Sequence, residues 1–199
     1  MDTRKNSAID TKLVARHVIG TFNSPPCVWR FACEKESLSI DVGGCGDRPI
    51  AGVFSYSTLG LSEHEVTLGS PGTDAPTRLE LAAVCAADRP LFPSILAAAA
   101  LGLIRQCARL KPGDCIRDAI GEFYPRATVS HFYLTRPFLW GDRLNILECE
   151  TKKVAWLLAV PVNSTELSFL QKQGDDGLER LFRERRIDMY NLGRAVWAE

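Results

Sequence analysis

The chain of 199 residues has three histidines, two methionines and no surplus of either charge, with 24 Lys+Arg against 24 Asp+Glu. Each shortage excludes something. Nucleophile–base catalysis at neutral pH usually needs a histidine, and none of the three sits in a recognisable catalytic motif. There is no G-x-G-x-x-G, no Walker-type phosphate loop, no H-E-x-x-H and no G-x-S-x-G, so nothing argues for an enzyme or a nucleotide cofactor. A balanced charge leaves no field to draw the chain onto nucleic acid or an anionic membrane. The longest apolar stretch, Ile95 to Ile104, is too short to span a bilayer, and Met1 to Asp10 lacks the apolar run of a signal peptide. The expectation is a soluble, cytoplasmic protein without cofactor or metal, whose partner is another protein or a small molecule.

The seven cysteines are an odd number without a Cys-x-x-Cys pair or a histidine at ligand spacing. They are expected to be reduced and structural, Cys85 and Cys107 packing as small hydrophobes within apolar runs. Cys45, inside Gly-Gly-Cys-Gly-Asp, is expected in an exposed turn without activating neighbours. His64, between Glu63 and Glu65, reads as a solvated turn rather than a metal ligand, and His131 as a hydrogen-bonded sheet histidine.

A composition of 46% hydrophobic and 24% charged residues fits one globular domain over 1–199. Apolar positions at Leu13, Val14, Val18 and Phe22 predict an amphipathic helix from Asp10 to Phe22. Strands are predicted at Val28 to Ala32, Ser37 to Val42 and Ile50 to Leu59, the last central because both its faces carry apolar residues. Gly69 to Pro76 reads as a loop. In Thr77 to Cys85 the alternation places Leu79 and Leu81 on a core face and Arg78 and Glu80 on a wet one. Phe92 to Leu110 is predicted as the long helix, ending before Pro112-Gly113. Further strands are expected at Thr128 to Thr135, Leu144 to Glu150 and Val154 to Val160, with a turn over Pro137 to Asp142. Strands outnumber crossover helices too heavily for a doubly wound sheet, which predicts an α+β fold with a mixed, mostly antiparallel sheet.

The polar run after the last strand is punctuation. Asn163 followed three residues later by Glu166 has capping-box spacing, and Leu167 and Leu170 point into the core. Gly174 ends that helix, Asp175 or Asp176 caps the next, and Leu178, Leu181 and Phe182 form its apolar stripe. The sequon at Asn163 is then accidental.

Several blocks in fixed order resemble the suppressor of fused family: "SYSTLGLSEHEV", "RLELAAVC", "LKPGDCI", "HFYLTRPF", and the closing "WLLAVPVNSTELSFLQKQGDDGLERLF" with "IDMYNLGR". The resemblance runs from Val53 to Arg194 and is weaker over residues 1–50. It implies a mixed α/β, protein-binding domain without a catalytic centre. Animal members join it to a second domain, and hold an extended peptide in the cleft between the two. Free-standing bacterial members look like immunity proteins that neutralise a secreted toxin encoded beside them.

The expected function is therefore binding of a cognate toxin protein, with a general scaffold or adaptor, or an enzyme with an unrecognised site, as alternatives. Candidate partner-binding residues are Arg78 and Glu80 on the wet strand face, Glu63, His64 and Glu65 in the turn, and Phe138, Trp140 and Asp142. In this last group the aromatics either anchor a partner or fold back over the sheet edge.

Overall fold

The computed structural model describes residues 3–24, 26–69, 77–86 and 89–196, and the predicted loop beyond Gly69 lies outside them. Helix α1 (Thr3–Phe22) leads into strands β1 (Cys27–Cys33), β2 (Leu38–Cys45) and β3 (Val53–Leu59), then β4 (Thr67–Leu68) and β5 (Thr77–Ala86). Helix α2 (Phe92–Arg105) precedes β6 (Arg109–Leu110), β7 (Cys115–Ile116), β8 (His131–Thr135), β9 (Leu147–Glu148) and β10 (Lys153–Val162), and α3 (Ser164–Glu184) follows. The described strands form one mixed sheet in the order β1-β2-β3-β5-β10-β8-β7. Its long ladders are antiparallel except for β5 against β10, where Leu157 faces Leu81 in parallel register.

Alternation along the central strands loads both faces of this sheet. Leu79, Leu81 and Ala83 of β5, with Leu157 of β10, join the cluster around Phe92, Ile95 and Leu96 of α2. Ala82, Val84, Trp156, Leu158 and Val160 turn the other way, onto Val14, Val18 and Phe22 of α1 and Leu178, Leu181 and Phe182 of α3. The result is an α+β, helix–sheet–helix arrangement with β5 and β10 buried on both faces.

The differences from the sequence reading have local causes. Helix α2 stops at Arg105 because Cys107 turns left-handed (φ 44°) and closes the helix, with Ala108 N–H donating to Leu103 O and Cys107 N–H to Ile104 O. A cysteine in the place usually held by glycine gave no stop signal, and the chain after it pairs as β6 with β4. Strand β10 runs through Pro161 to Val162. Its pairing with β5 ends at Ala159, so the missing proline N–H breaks no ladder there. The strand expected at Leu144 to Glu150 shrinks to β9 because Phe138–Leu144 winds into 3-10 turns. Cys45 is no exposed turn. It is a buried β2 residue whose thiol donates to Ser24 O at 3.2 Å, and burial pushes its pKa up. Gly44 beside it lies under aromatic rings, where an added Cβ would come within 2.7 Å of Tyr56 and 2.8 Å of Trp29. All seven cysteines are free thiols.

The capping box is present as read: Glu166 N–H donates to Asn163 Oδ1, and Asn163 N–H to Glu166 Oε2, both at 2.9 Å. Helix α3 breaks at Gly174 (φ 71°), as two helices require. The sequence did not show that Arg194, also buried, donates to Glu166 Oε2 at 2.6 Å and to Pro161 O at 2.8 Å. The cap therefore also clamps the tail after α3 onto the end of β10.

Candidate partner-binding surface

The turn after β3 is built from beneath. Gly60 takes φ 107°, a single 3-10 turn covers Leu61–Glu63, and the Glu80 carboxylate sits under it. Glu80 Oε1 accepts from Gly60 N–H (2.9 Å), Ser62 N–H (3.1 Å) and Ser62 Oγ (2.8 Å). Its Oε2 accepts from Thr58 Oγ1 (2.5 Å) and Leu61 N–H (3.3 Å). Glu80 is wholly buried, which corrects the expectation of a wet face on β5. Burial raises its pKa, and the bonds from Thr58, Ser62 and Gly60 pull it back. A carboxylate surrounded by donors holds the turn's shape and is not offered to a partner.

Above this cradle the turn residues divide. Glu63 is engaged internally, accepting from Lys152 Nζ at 2.5 Å and from Thr11 Oγ1 of α1 at 3.0 Å. Arg78 donates from Nη1 to His64 O at 2.7 Å, which fixes the half-buried His64. Burial lowers the pKa of the His64 ring. Glu65 is the exposed member. The structure brings Glu63, His64, Glu65 and Arg78 together in one polar patch.

The second predicted group is separate. Thr11 of α1 touches the first patch, and Thr21, ten residues on, donates to Arg143 O at 3.0 Å beside the second, which puts about 15 Å of helix between them. Trp140 folds inward. It is 8% exposed, its Nε1–H donates to Ser55 Oγ at 3.3 Å, and its ring lies 5.3 Å from that of Phe22. It belongs to the core and not to the accessible surface. Phe138 points outward at 52% exposure, and Asp142 is exposed with it.

Phe138 also rims a groove between β8 and α3 that the sequence reading missed. Tyr133, Val160, Phe182 and Met189 supply its apolar lining and Glu179 its carboxylate. Glu179 Oε1 accepts from Thr135 Oγ1 at 2.7 Å and Tyr133 O–H at 3.2 Å. Burial, then the Glu179 charge, push the Tyr133 hydroxyl pKa up. One signal was available: Glu179 stands three residues before Phe182, on the edge of the stripe assigned to the core.

The histidines have local explanations. His131 Nδ1 accepts from Asp118 N–H at 2.9 Å, which leaves Nε2 to meet Ser164 Oγ at 3.2 Å, as a hydrogen-bonded sheet histidine should. His17 packs its ring 5.1 Å from Trp156, and burial lowers its pKa. Among the described residues no three His, Cys, Asp or Glu side chains are grouped to hold a metal, and no helix is long and apolar enough to cross a membrane.

Comparison with known proteins agrees with this architecture. Immunity protein YqcF of Bacillus subtilis (strain 168) is 32% identical over 185 residues, spanning 93% of this chain and 95% of that protein. Among solved structures, a suppressor of fused homologue from Neisseria gonorrhoeae superposes with a TM-score of 0.70 at 18% identity, over 95% of this chain and 98% of that one. A chain of the Sufu–Fu complex gives a TM-score of 0.65 at 16% identity, over 94% and 91%. The sequence profile of suppressor of fused protein matches residues 36–195, beginning upstream of the Val53 where the motifs became legible. With nearly the whole domain matched in sequence and in fold, the chain belongs to the suppressor of fused family.

Proposed function

We propose that this chain is a cytoplasmic immunity protein that binds a cognate secreted toxin directly and neutralises it. The observation that carries this reading is the similarity to Immunity protein YqcF, 32% identical over almost the full length of both chains. The fold supports it. Polar side chains that could have served a reaction are engaged as structure: Glu80 cradles a turn, Glu166 caps a helix and clamps a tail, and His131 bridges Asp118 and Ser164. Among the candidate residues, Glu65, beside the half-buried His64 and Arg78, and Phe138 and Asp142 are exposed where a partner could reach them. Binding there acts by occlusion or distortion of the toxin, and needs no reacting group in this chain.

Co-expression with the toxin encoded beside this chain's gene is the test. The two proteins should co-purify as a stable complex, and the toxin alone should arrest growth of its host. Two folded proteins that migrate separately would overturn the reading. An adaptor function would show instead as capture of several unrelated proteins, with no effect on the toxin.

A further inference from the structure

The groove between β8 and α3 pairs apolar walls with the Glu179 carboxylate, and Arg183 also lines it without forming an ion pair with that carboxylate. Its volume is about 310 Å³, the low end of the roughly 300–1,000 Å³ seen for small-molecule sites and ample for one long side chain. Among the described residues no Lys or Arg pairs with the Glu179 carboxylate. Arg183, one turn further along α3, instead donates from Nε to the Glu179 backbone carbonyl at 3.3 Å. The two hydroxyl donors, Tyr133 and Thr135, both reach Oε1, so Oε2 is left for a ligand. At the rim Phe138 keeps 52% of its surface in water. Phe182, also in the lining, already carries a planar cation of this chain: the Arg194 guanidinium lies 5.9 Å from its ring centroid.

We propose that this groove is the anchor site for an arginine side chain of the protein partner, the guanidinium paired with Glu179 and lying against Phe138, the aliphatic stem along Val160 and Met189. An apolar anchor would desolvate the Glu179 charge without replacing its hydration. Lysine would supply a compact point charge, whereas a guanidinium offers a flat face to the ring and a fork of donors to the carboxylate. The proposal rests on the reading of this chain as a protein binder. Its test probes the groove itself, so the two fail separately.

The probe is Nα-acetyl-arginine methylamide, titrated into the full chain and followed by the methyl resonances of its methionines. Met1 and Met189 are the two present, so one of the two signals reports the groove directly. The Met189 methyl should shift and saturate, while the norleucine analogue binds roughly tenfold more weakly and the lysine analogue roughly threefold. Glu179→Gln keeps an acceptor for Tyr133 and Thr135 and should weaken the arginine probe about fivefold. Phe138→Ala, at an exposed position, should weaken it about threefold with an unchanged melting transition. An unmoved Met189 methyl, or equal binding of the norleucine analogue, overturns the proposal; equal binding of the lysine analogue overturns the assignment to arginine. If Glu179→Gln does not fold, Phe138→Ala and the norleucine comparison decide. A groove that selects arginine in a chain that captures no toxin would leave this inference standing and remove the immunity reading alone.

Discussion

Glu80 and Glu179 are both carboxylates beside the sheet, and they are used in opposite ways. Glu80 has no exposed surface and receives five hydrogen bonds across both oxygens. Glu179 is half-buried and receives two, both on Oε1. A carboxylate whose acceptor sites are filled by its own chain is a structural element, and one with an oxygen facing an open groove has capacity left for a partner. Residue type does not separate the two cases. Removing Glu80 should therefore cost stability, and neutralising Glu179 should cost binding.

The largest effect is expected at the cradle. Glu80→Ala strands the Thr58 and Ser62 hydroxyls and the Gly60 and Ser62 amides, and should cost about 3–5 kcal/mol in denaturant unfolding. A loss below about 1 kcal/mol would break the distinction drawn here. Arg194→Ala removes the partner of a buried carboxylate and should cost about 3 kcal/mol, with the tail after α3 becoming open to proteolysis. Trp140→Ala opens a cavity against Phe22 and should cost roughly as much, so any loss of toxin binding by this variant would be secondary to its lowered melting temperature.

A smaller effect comes from pH. Burial holds the pKa of His17 below its ordinary value of 6.5, so the unfolded chain binds this proton more readily than the folded one. Stability linked to His17 is then complete above pH 6.5 and is lost as pH falls from there towards the lowered folded value. Melting temperatures compared at pH 7.5 and pH 5.5 should fall less for His17→Gln than for the wild type. Equal falls would mean that His17 is not desolvated against Trp156. The smallest stability effects belong to the surface: Glu65→Lys and Glu179→Gln should change unfolding by no more than about 0.5 kcal/mol while weakening the toxin complex.

Much of this architecture was legible because its signals are local. The capping box at Asn163 and Glu166, the break at Gly174 and the buried Leu79 and Leu81 follow from spacing alone. Long-range pairing was not legible. Glu80 reads as a solvent-facing strand residue until β3 and the Leu61–Glu63 turn deliver their donors to it, more than fifteen residues away in sequence. Trp140 reads as a loop aromatic until Ser55, 85 residues upstream, accepts from its indole. The groove at Glu179 is assembled from β8, β10, α3 and the 3-10 turn at Phe138, so no single stretch announces it. Cys107 and Arg186 escaped notice for a different reason, since both hold left-handed positions at helix ends where a glycine would have marked the stop.

The central claim is neutralisation by direct binding, and the most direct measurement is a titration of the purified chain into its neighbour-encoded toxin while the toxin's activity is followed. Activity should fall linearly and vanish near one equivalent, as expected for a tight complex between two folded proteins. Toxin activity that persists in several-fold excess of correctly folded chain would contradict the account.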